Sequence, residues 1–392
     1  MNILFLSRWY PYPVDNGSKL RIYNILQGLT HNHEVILISF TDQQDIHPND
    51  DILHSICQDV QVVVWKGFDP RSQKSIFGLL NSAPRSIVDT YSIDTENRIK
   101  QILSNEKIDL IIASQITSAG YANHFKGIPS IFEELELGII YEKFAHTSSG
   151  VRRLRHGLTW KKYQSYLRNL VDKYDACTVV SEREKQLLKK AFPDYQSIEI
   201  IPNCVNLSEF IETSDRAEPE TLIFTGSFRY DVNYDAMVWF LQDILPRIQK
   251  DIKNVSLTIT GDHVNLPLPE VKNVPLTGFV EDVHPMIQSS WISLAPIRQG
   301  GGTRLKILEA MALRTPVVAT SKGAEGLDLV DGEHILIADT AEAFSKAVIR
   351  LLRNSDLRQS IVDKAYCLVA QKYDWAVVMP KFLDLVERVA SS

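Results

Sequence analysis

The chain has 392 residues, 44% hydrophobic and 23% charged, the profile of a globular protein long enough for two to three domains. Its 42 basic and 48 acidic residues leave a net charge of −6 and a pI of about 6.0, which argues against a nucleic-acid partner. A mean hydropathy of −0.10 and the lack of any apolar run of about 18 residues exclude a membrane-spanning helix from the sequence.

The chain opens with a short apolar run, Asn2–Ser7, that reads as a buried parallel strand. The run meets Arg8 too soon to be the apolar centre of a signal peptide. A loop rich in Pro, Asp, Asn and Gly follows to Gly17, and then a helical spacing of apolar residues from Ser18 to Leu29. Further strands are predicted at Glu34–Phe40, Val60–Trp65, Leu110–Ser114, Ser130–Phe132, Ala176–Ser181 and Ile198–Ile201, with helices between most of them. Strands alternating with helices imply βαβ units and a parallel sheet. Between Ser130–Phe132 and Ala176–Ser181 lies a basic stretch, Val151–Lys173, with Trp160, Tyr163, Leu167, Leu170 and Tyr174 at helical spacing. It fits either an ordinary core-facing helix or a helix that docks on anionic lipid.

A polar stretch, Ile211–Thr221, reads as a linker, and the same pattern then restarts. Strands are predicted at Leu222–Thr225, Val255–Thr260, Val274–Leu276, Ile292–Ala295, Val317–Ala319 and Ile335–Ile337. Helices are predicted from about Tyr234, at Glu281–Ser289, Arg304–Leu313, Ala341–Leu352, Leu357–Val369 and finally Ala376–Val389. The fold class expected is therefore α/β, with two Rossmann-like halves. The first covers 1–212 and is joined by the last helix, 376–392; the second covers 213–375.

Ligands of such sheets bind at the carboxyl ends of the strands, so the loops there carry the candidate chemistry. The strongest signal is Gly300-Gly301-Gly302-Thr303-Arg304 leading into a helix that holds Lys306 and Glu309. Glycines let a ligand approach the backbone, and a helix start favours an anion. Arg304 and Lys306 oppose the helix dipole there, a conflict that a bound diphosphate resolves. Glu309 shares a helical face with Lys306 and can accept hydrogen bonds from two sugar hydroxyls. Weaker signals are Gly17-Ser18, Gly226 with Arg229, Phe279-Val280 as a surface for a nucleobase, and Glu133-Glu134 as an acceptor-side carboxylate pair. Each also reads as ordinary turn, cap or surface chemistry. No Asp-x-Asp clamp for a metal-bound diphosphate is present. The glycine run fails the GxGxxG pattern at its last position. The four cysteines, Cys57, Cys177, Cys204 and Cys367, form no CxxC pair, which points to a reducing, cytoplasmic compartment.

Over essentially its full length the chain resembles glycosyltransferase family 4, retaining sugar-nucleotide transferases with the GT-B fold. The residues that carry the resemblance are Pro13 to Arg21, Val180-Ser181-Glu182, Ile201 to Asn206, Thr225-Gly226-Ser227, Gly278-Phe279-Val280, Gly301 to Ala312 before Pro316-Val317-Val318-Ala319, and Tyr373-Asp374-Trp375. It implies a hexosyltransferase-type enzyme of polysaccharide or envelope synthesis that needs no metal cofactor. Its donor, a UDP- or GDP-linked sugar, would be held by Gly17, Gly226, Arg229, Phe279, Val280, Gly301, Gly302, Thr303, Arg304, Lys306 and Glu309. The acceptor, a glycan or lipid-linked molecule, would meet Gln115, Glu133 and Glu134. Glu309 matches the ribose-binding second glutamate of the family's Glu-x7-Glu motif, and Glu309, Arg304 and Lys306 are the expected catalytic group.

The chain departs from the family pattern at the first motif glutamate, which falls on Gly301. The basic pair after Gly226 becomes Ser227 and Asn233, and a first-half histidine becomes Gln115. Arg304 and Lys306 are expected to replace the missing phosphate cations. The alternatives are a non-catalytic partner subunit of the same fold and a sugar-nucleotide epimerase. The expected location is cytoplasmic, with peripheral contact at the inner face of a membrane through 151–173.

Overall fold

The computed structural model describes residues 1–42, 52–138, 141, 150–210, 217–301 and 304–392. The chain divides into two compact units, one of 1–202 with 379–392 and one of 203–378. The division falls inside the last helix, Trp375–Ala390, beside Pro380.

Among the described residues the first unit holds a seven-stranded sheet. Its strands are β1 (Asn2–Ser7), β2 (Glu34–Thr41), β3 (Asp59–Val64), β4 (Leu110–Ser114), β5 (Ser130–Glu133), β6 (Ala176–Val179) and β7 (Ile198–Ile200). Their order is β3-β2-β1-β4-β5-β6-β7, and every pairing is parallel. The second unit holds β8 (Glu218–Thr225), β9 (Ser256–Thr260), β10 (Leu276–Gly278), β11 (Ser290–Ala295), β12 (Val317–Ala319) and β13 (Leu336–Ile337), in the order β10-β9-β8-β11-β12-β13, again all parallel. This is the two-sheet α/β architecture expected from the sequence.

The central strands are apolar along their whole length because helices cover both faces. Ile3, Leu4 and Phe5 of β1 and Leu110, Ile111 and Ile112 of β4 are fully buried. Leu222, Ile223 and Phe224 of β8 play the same part in the second unit. The stripe Trp160, Tyr163, Leu167 and Leu170 of helix Gly150–Val171 joins the first core, so that part of the basic stretch is core-facing. Met379 of the last helix packs against Gly28, where a Cβ would lie 2.2 Å from the Met379 sulfur.

Several boundaries differ from the sequence reading by a few residues, and two of the differences have a clear cause. Glu218–Thr221, assigned to the linker, is the start of β8 and pairs with Ser290 and its neighbours; 211–216 lie outside the described residues. β10 begins at Leu276 rather than Val274, because its partner β9 ends at Thr260 and register carries the pairing forward. The cysteines are free, and burial pushes the Cys57 and Cys177 thiols up to about 12, which keeps both protonated.

Candidate functional site

In the second unit the signals converge at the carboxyl ends of β8, β9 and β11. β8 is followed by Gly226 at φ +147°, and β9 by Gly261 at φ +109°. A Cβ on Gly261 would lie 2.6 Å from the Gly226 carbonyl carbon, so the two loops touch through bare backbone. A Cβ on Gly226 would meet the Asn233 amide nitrogen at 2.8 Å and the Lys306 amine at 3.0 Å.

Lys306 rises from the helix Leu305–Ala312, whose other face, Ile307, Leu308, Ala310 and Met311, is buried in the core. Its amine lies 4.1 Å from the centre of the Phe224 ring and donates to Asn233 Oδ1 at 3.0 Å. Asn233 in turn donates to the Ser227 carbonyl at 2.8 Å. Burial, and next the positive charge of Arg304, depress the Lys306 amine to about 7, with Glu309 acting in the opposite sense. Glu309 is half-buried on the same face, and burial raises its carboxyl against the pull of His284 and Lys306.

Arg304 is buried and turns back on its own loop, donating to the Gly300 carbonyl at 3.2 Å and the Gly301 carbonyl at 3.5 Å. The Tyr230 hydroxyl donates to the Gly301 carbonyl as well, at 3.0 Å. The glycine loop is thus tied down from both sides. Gly302 and Thr303 lie outside the described residues. Arg229 is exposed and paired with Asp262 at 2.6 Å, at the rim. Phe279 stands exposed just past Gly278, which holds φ +72°, and Val280 is half-buried beside it.

In the first unit the helix after β1 starts at Gly17, and its cap is Asn16, whose side chain accepts from Lys19 N, not Ser18. Arg21 of this helix is buried, with its Nε 2.6 Å from Glu133 Oε1 at the end of β5. It also donates to the Pro202 carbonyl at 3.0 Å. The other Glu133 oxygen accepts from Ser114 at 2.6 Å, so Glu133 is an inward, fully engaged carboxylate rather than a surface one.

Glu134 follows β5 at φ +55°, and Gln115 follows the neighbouring β4 at φ +65°. The Gln115 amide donates to Glu134 at 2.8 Å and reaches Ser18 Oγ at 3.4 Å. Burial, and then the adjacent Glu133, push the Glu134 carboxyl up to about 8, so it is largely protonated at neutral pH. Gly17, Ser18, Gln115 and Glu134 therefore gather at one end of the first sheet.

Two family models match the chain. One, described as Glycosyltransferase Family 4, matches 16–209; the other, described as Glycosyl transferases group 1, matches 219–354. The chain belongs to the family 4 glycosyltransferases.

A phosphatidyl-myo-inositol mannosyltransferase of Mycobacterium leprae is 31% identical over 248 residues, which cover 60% of this chain and 65% of that protein. An uncharacterised 44.6 kDa protein in the cps region of Klebsiella pneumoniae is 22% identical over 95% of this chain and 96% of that one. Among solved structures, Anabaena HepE in complex with UDP and glucose matches with a TM-score of 0.69 at 15% identity, covering 99% of this chain and 100% of that one. The last agreement is one of fold, GT-B. In this glycosyltransferase no described helix is long and apolar enough to cross a membrane.

Sequence reasoning missed Arg21, Phe224, Gly261 and His284 as parts of these sites. Only Arg21 left a usable trace, a charge set between Leu20 and Ile22 within the apolar pattern of the first helix.

Proposed function

We propose that this glycosyltransferase moves a hexosyl group, mannosyl or glucosyl, from a UDP- or GDP-linked sugar to a lipid-linked or glycan acceptor, with retention of anomeric configuration. The observation that carries the reading is the Lys306 amine, half-buried against Asn233 and Phe224 beside the bare backbone of Gly226. A cation held so costs desolvation energy, which a diphosphate at the same place offsets. In this reading the leaving diphosphate gains charge as the sugar departs. Lys306 and the start of the helix Leu305–Ala312 stabilise that charge without a metal ion. Glu309 accepts from the ribose hydroxyls, and Phe279 and Val280 flank the base. Arg304 acts as a positioning residue, holding the Gly300 and Gly301 carbonyls so that the loop keeps its shape.

The names of the relatives support the choice of sugar and the setting. One is a mannosyltransferase, one protein comes from a cps region, and the matched fold in HepE was seen with UDP and glucose. On the acceptor side Glu134, protonated, donates a hydrogen bond to an acceptor oxygen, with Gln115 holding its other oxygen.

Titration calorimetry with UDP and GDP in the presence of EDTA tests the reading. One of the two binds to the wild type, Lys306→Met and Glu309→Ala each weaken it by about tenfold or more, and turnover persists in EDTA. If neither nucleotide binds, the donor site is lost, and the non-catalytic partner subunit replaces it.

A further inference from the structure

A sugar-nucleotide donor has its parts in line: base, ribose, diphosphate and sugar. Placing them rests on the proposed function, in which Glu309 takes the ribose and Lys306 the diphosphate. Both residues stand on one face of helix Leu305–Ala312, separated by about 4.5 Å of helix rise. The same direction, continued past the start of the helix, leads to Gly300 and Gly301. The part of the donor that reaches this loop is the sugar.

Gly301 has no side chain to offer a sugar, so recognition there falls to the backbone and to neighbouring side chains. Arg304 holds the Gly300 carbonyl at 3.2 Å. The peptide that joins Gly300 to Gly301 is trans, so the Gly301 N–H points opposite to that carbonyl, away from the arginine. No described residue accepts from it.

One side chain reaches this loop from across the site. Tyr230 lies in the turn after Gly226, just before helix Asp231–Trp239. Its carbonyl accepts from Asn233 N at 2.9 Å, and the Asn233 side chain in turn accepts from the Lys306 amine. Its hydroxyl donates to the Gly301 carbonyl at 3.0 Å. Gly300 leaves room for this contact, since a Cβ there would lie 2.7 Å from the Tyr230 hydroxyl oxygen and 2.7 Å from Val232 Cγ2. Tyr230 thus bridges the two loops that flank the Lys306 amine. It does so while 47% exposed, so its ring keeps an open face of fixed orientation beside the glycine loop. A hexose has a matching pair of features, an apolar C–H face and a rim of hydroxyls, and small-molecule sites pair aromatic walls with a few placed polar groups in the same way.

We propose that Tyr230 recognises the transferred hexose. Its ring meets the C–H face of the sugar, and its hydroxyl keeps the glycine loop in the shape that offers the Gly301 N–H to a sugar hydroxyl. The nucleoside diphosphate needs neither group, because it is held by Lys306 and Glu309.

Titration calorimetry with a nucleoside diphosphate and with its sugar conjugate separates these roles: UDP against UDP-glucose, and GDP against GDP-mannose. Tyr230→Phe lowers the affinity of the conjugate by about fivefold, the worth of one hydrogen bond, and leaves that of the diphosphate alone. Tyr230→Ala removes the ring as well and lowers it further, again for the conjugate only. Gly300→Ala, whose Cβ displaces the Tyr230 hydroxyl, reproduces the selective loss from the opposite loop. Equal losses for diphosphate and conjugate make Tyr230 a structural tie of the whole site, and unchanged binding of both makes it a surface residue; either result overturns the proposal. A wild type that binds neither diphosphate overturns the donor site itself and the role of Tyr230 with it, so the two failures are told apart before any variant is made.

Discussion

At the carboxyl ends of β4 and β5 the chain turns through Gln115 and Glu134, two side-chain-bearing residues at φ +65° and +55°. At the matching ends of β8 and β9 it turns through Gly226 and Gly261, at φ +147° and +109°. The first pair accepts backbone strain of about 1–3 kcal/mol per residue and keeps two polar side chains at the turn, bonded to each other. The second pair gives up side chains and keeps open backbone, with a lone amine beside it. The charges follow the same division. Glu133 is matched with Arg21 and Ser114, whereas the Lys306 amine touches a neutral amide oxygen and a ring face, with the charges of Arg304 and Glu309 acting on it in opposite senses. One end is filled by its own side chains; the other leaves backbone open, where the proposed function puts the donor diphosphate.

The firmest break of this contrast is made at Arg21. Arg21→Ala leaves Glu133 buried without its cation, and a loss of about 3–5 kcal/mol is expected in urea unfolding of the first unit. The double variant Arg21→Leu with Glu133→Leu recovers most of it, because the loss is that of an orphaned charge and not of the pair itself. UDP or GDP binding, assigned to the other unit, stays unchanged in the double variant.

Gly261→Ala attacks the cleared end. The added Cβ meets the Gly226 backbone at 2.6 Å, and the φ of +109° is strained for any L side chain. A stability loss of about 2 kcal/mol is expected by thermal melting. Nucleotide affinity falls by more than the same change at Gly67, where nothing lies within 4 Å of the new Cβ.

How far the sequence foretold this contrast depends on range. β1, β4 and β12 are legible to the residue, since uninterrupted apolar runs admit one reading. The start of β8 is not, because Glu218, Pro219 and Glu220 look like linker chemistry, and only pairing with Ser290 makes them strand. Gly226, Gly301, Lys306 and Glu309 stand out because glycines and charges interrupt an apolar pattern at a strand–helix junction. The Arg21–Glu133 pair joins residues 112 positions apart, and only the sheet order β1-β4-β5 brings them together. No local pattern carries that information.

Lys306→Met sharpens the contrast from the other side. It removes a depressed amine, so folding stability is kept or raised at neutral pH. Nucleoside diphosphate affinity falls by about 1.5–3 kcal/mol, the range for a hydrogen bond to a charged group. The pH profile separates this from a structural effect. In the free wild type the amine loses its proton near pH 7, so affinity declines as pH rises above 7. In the methionine variant affinity is weaker throughout and that decline is absent. A decline that survives in Lys306→Met assigns the titration to another group.

Glu134→Gln tests the filled end with the smallest change. The Glu134 carboxyl is raised to about 8 in the folded chain against an ordinary value of 4.5. Between these values the folded chain keeps a proton that the unfolded chain has lost. The stability owed to that proton is therefore present in full below about pH 4.5 and lost progressively as pH rises towards 8, by at most about 1.4 kcal/mol per pH unit. Glutamine has the shape of the protonated acid, can still accept from Gln115, and does not titrate. The melting temperatures of wild type and Glu134→Gln should thus lie close together near pH 4.5 and separate up to pH 8, with the variant the more stable. Parallel curves over that range would mean that Glu134 is ionised in the folded chain, and the filled end would then hold two negative charges on one arginine.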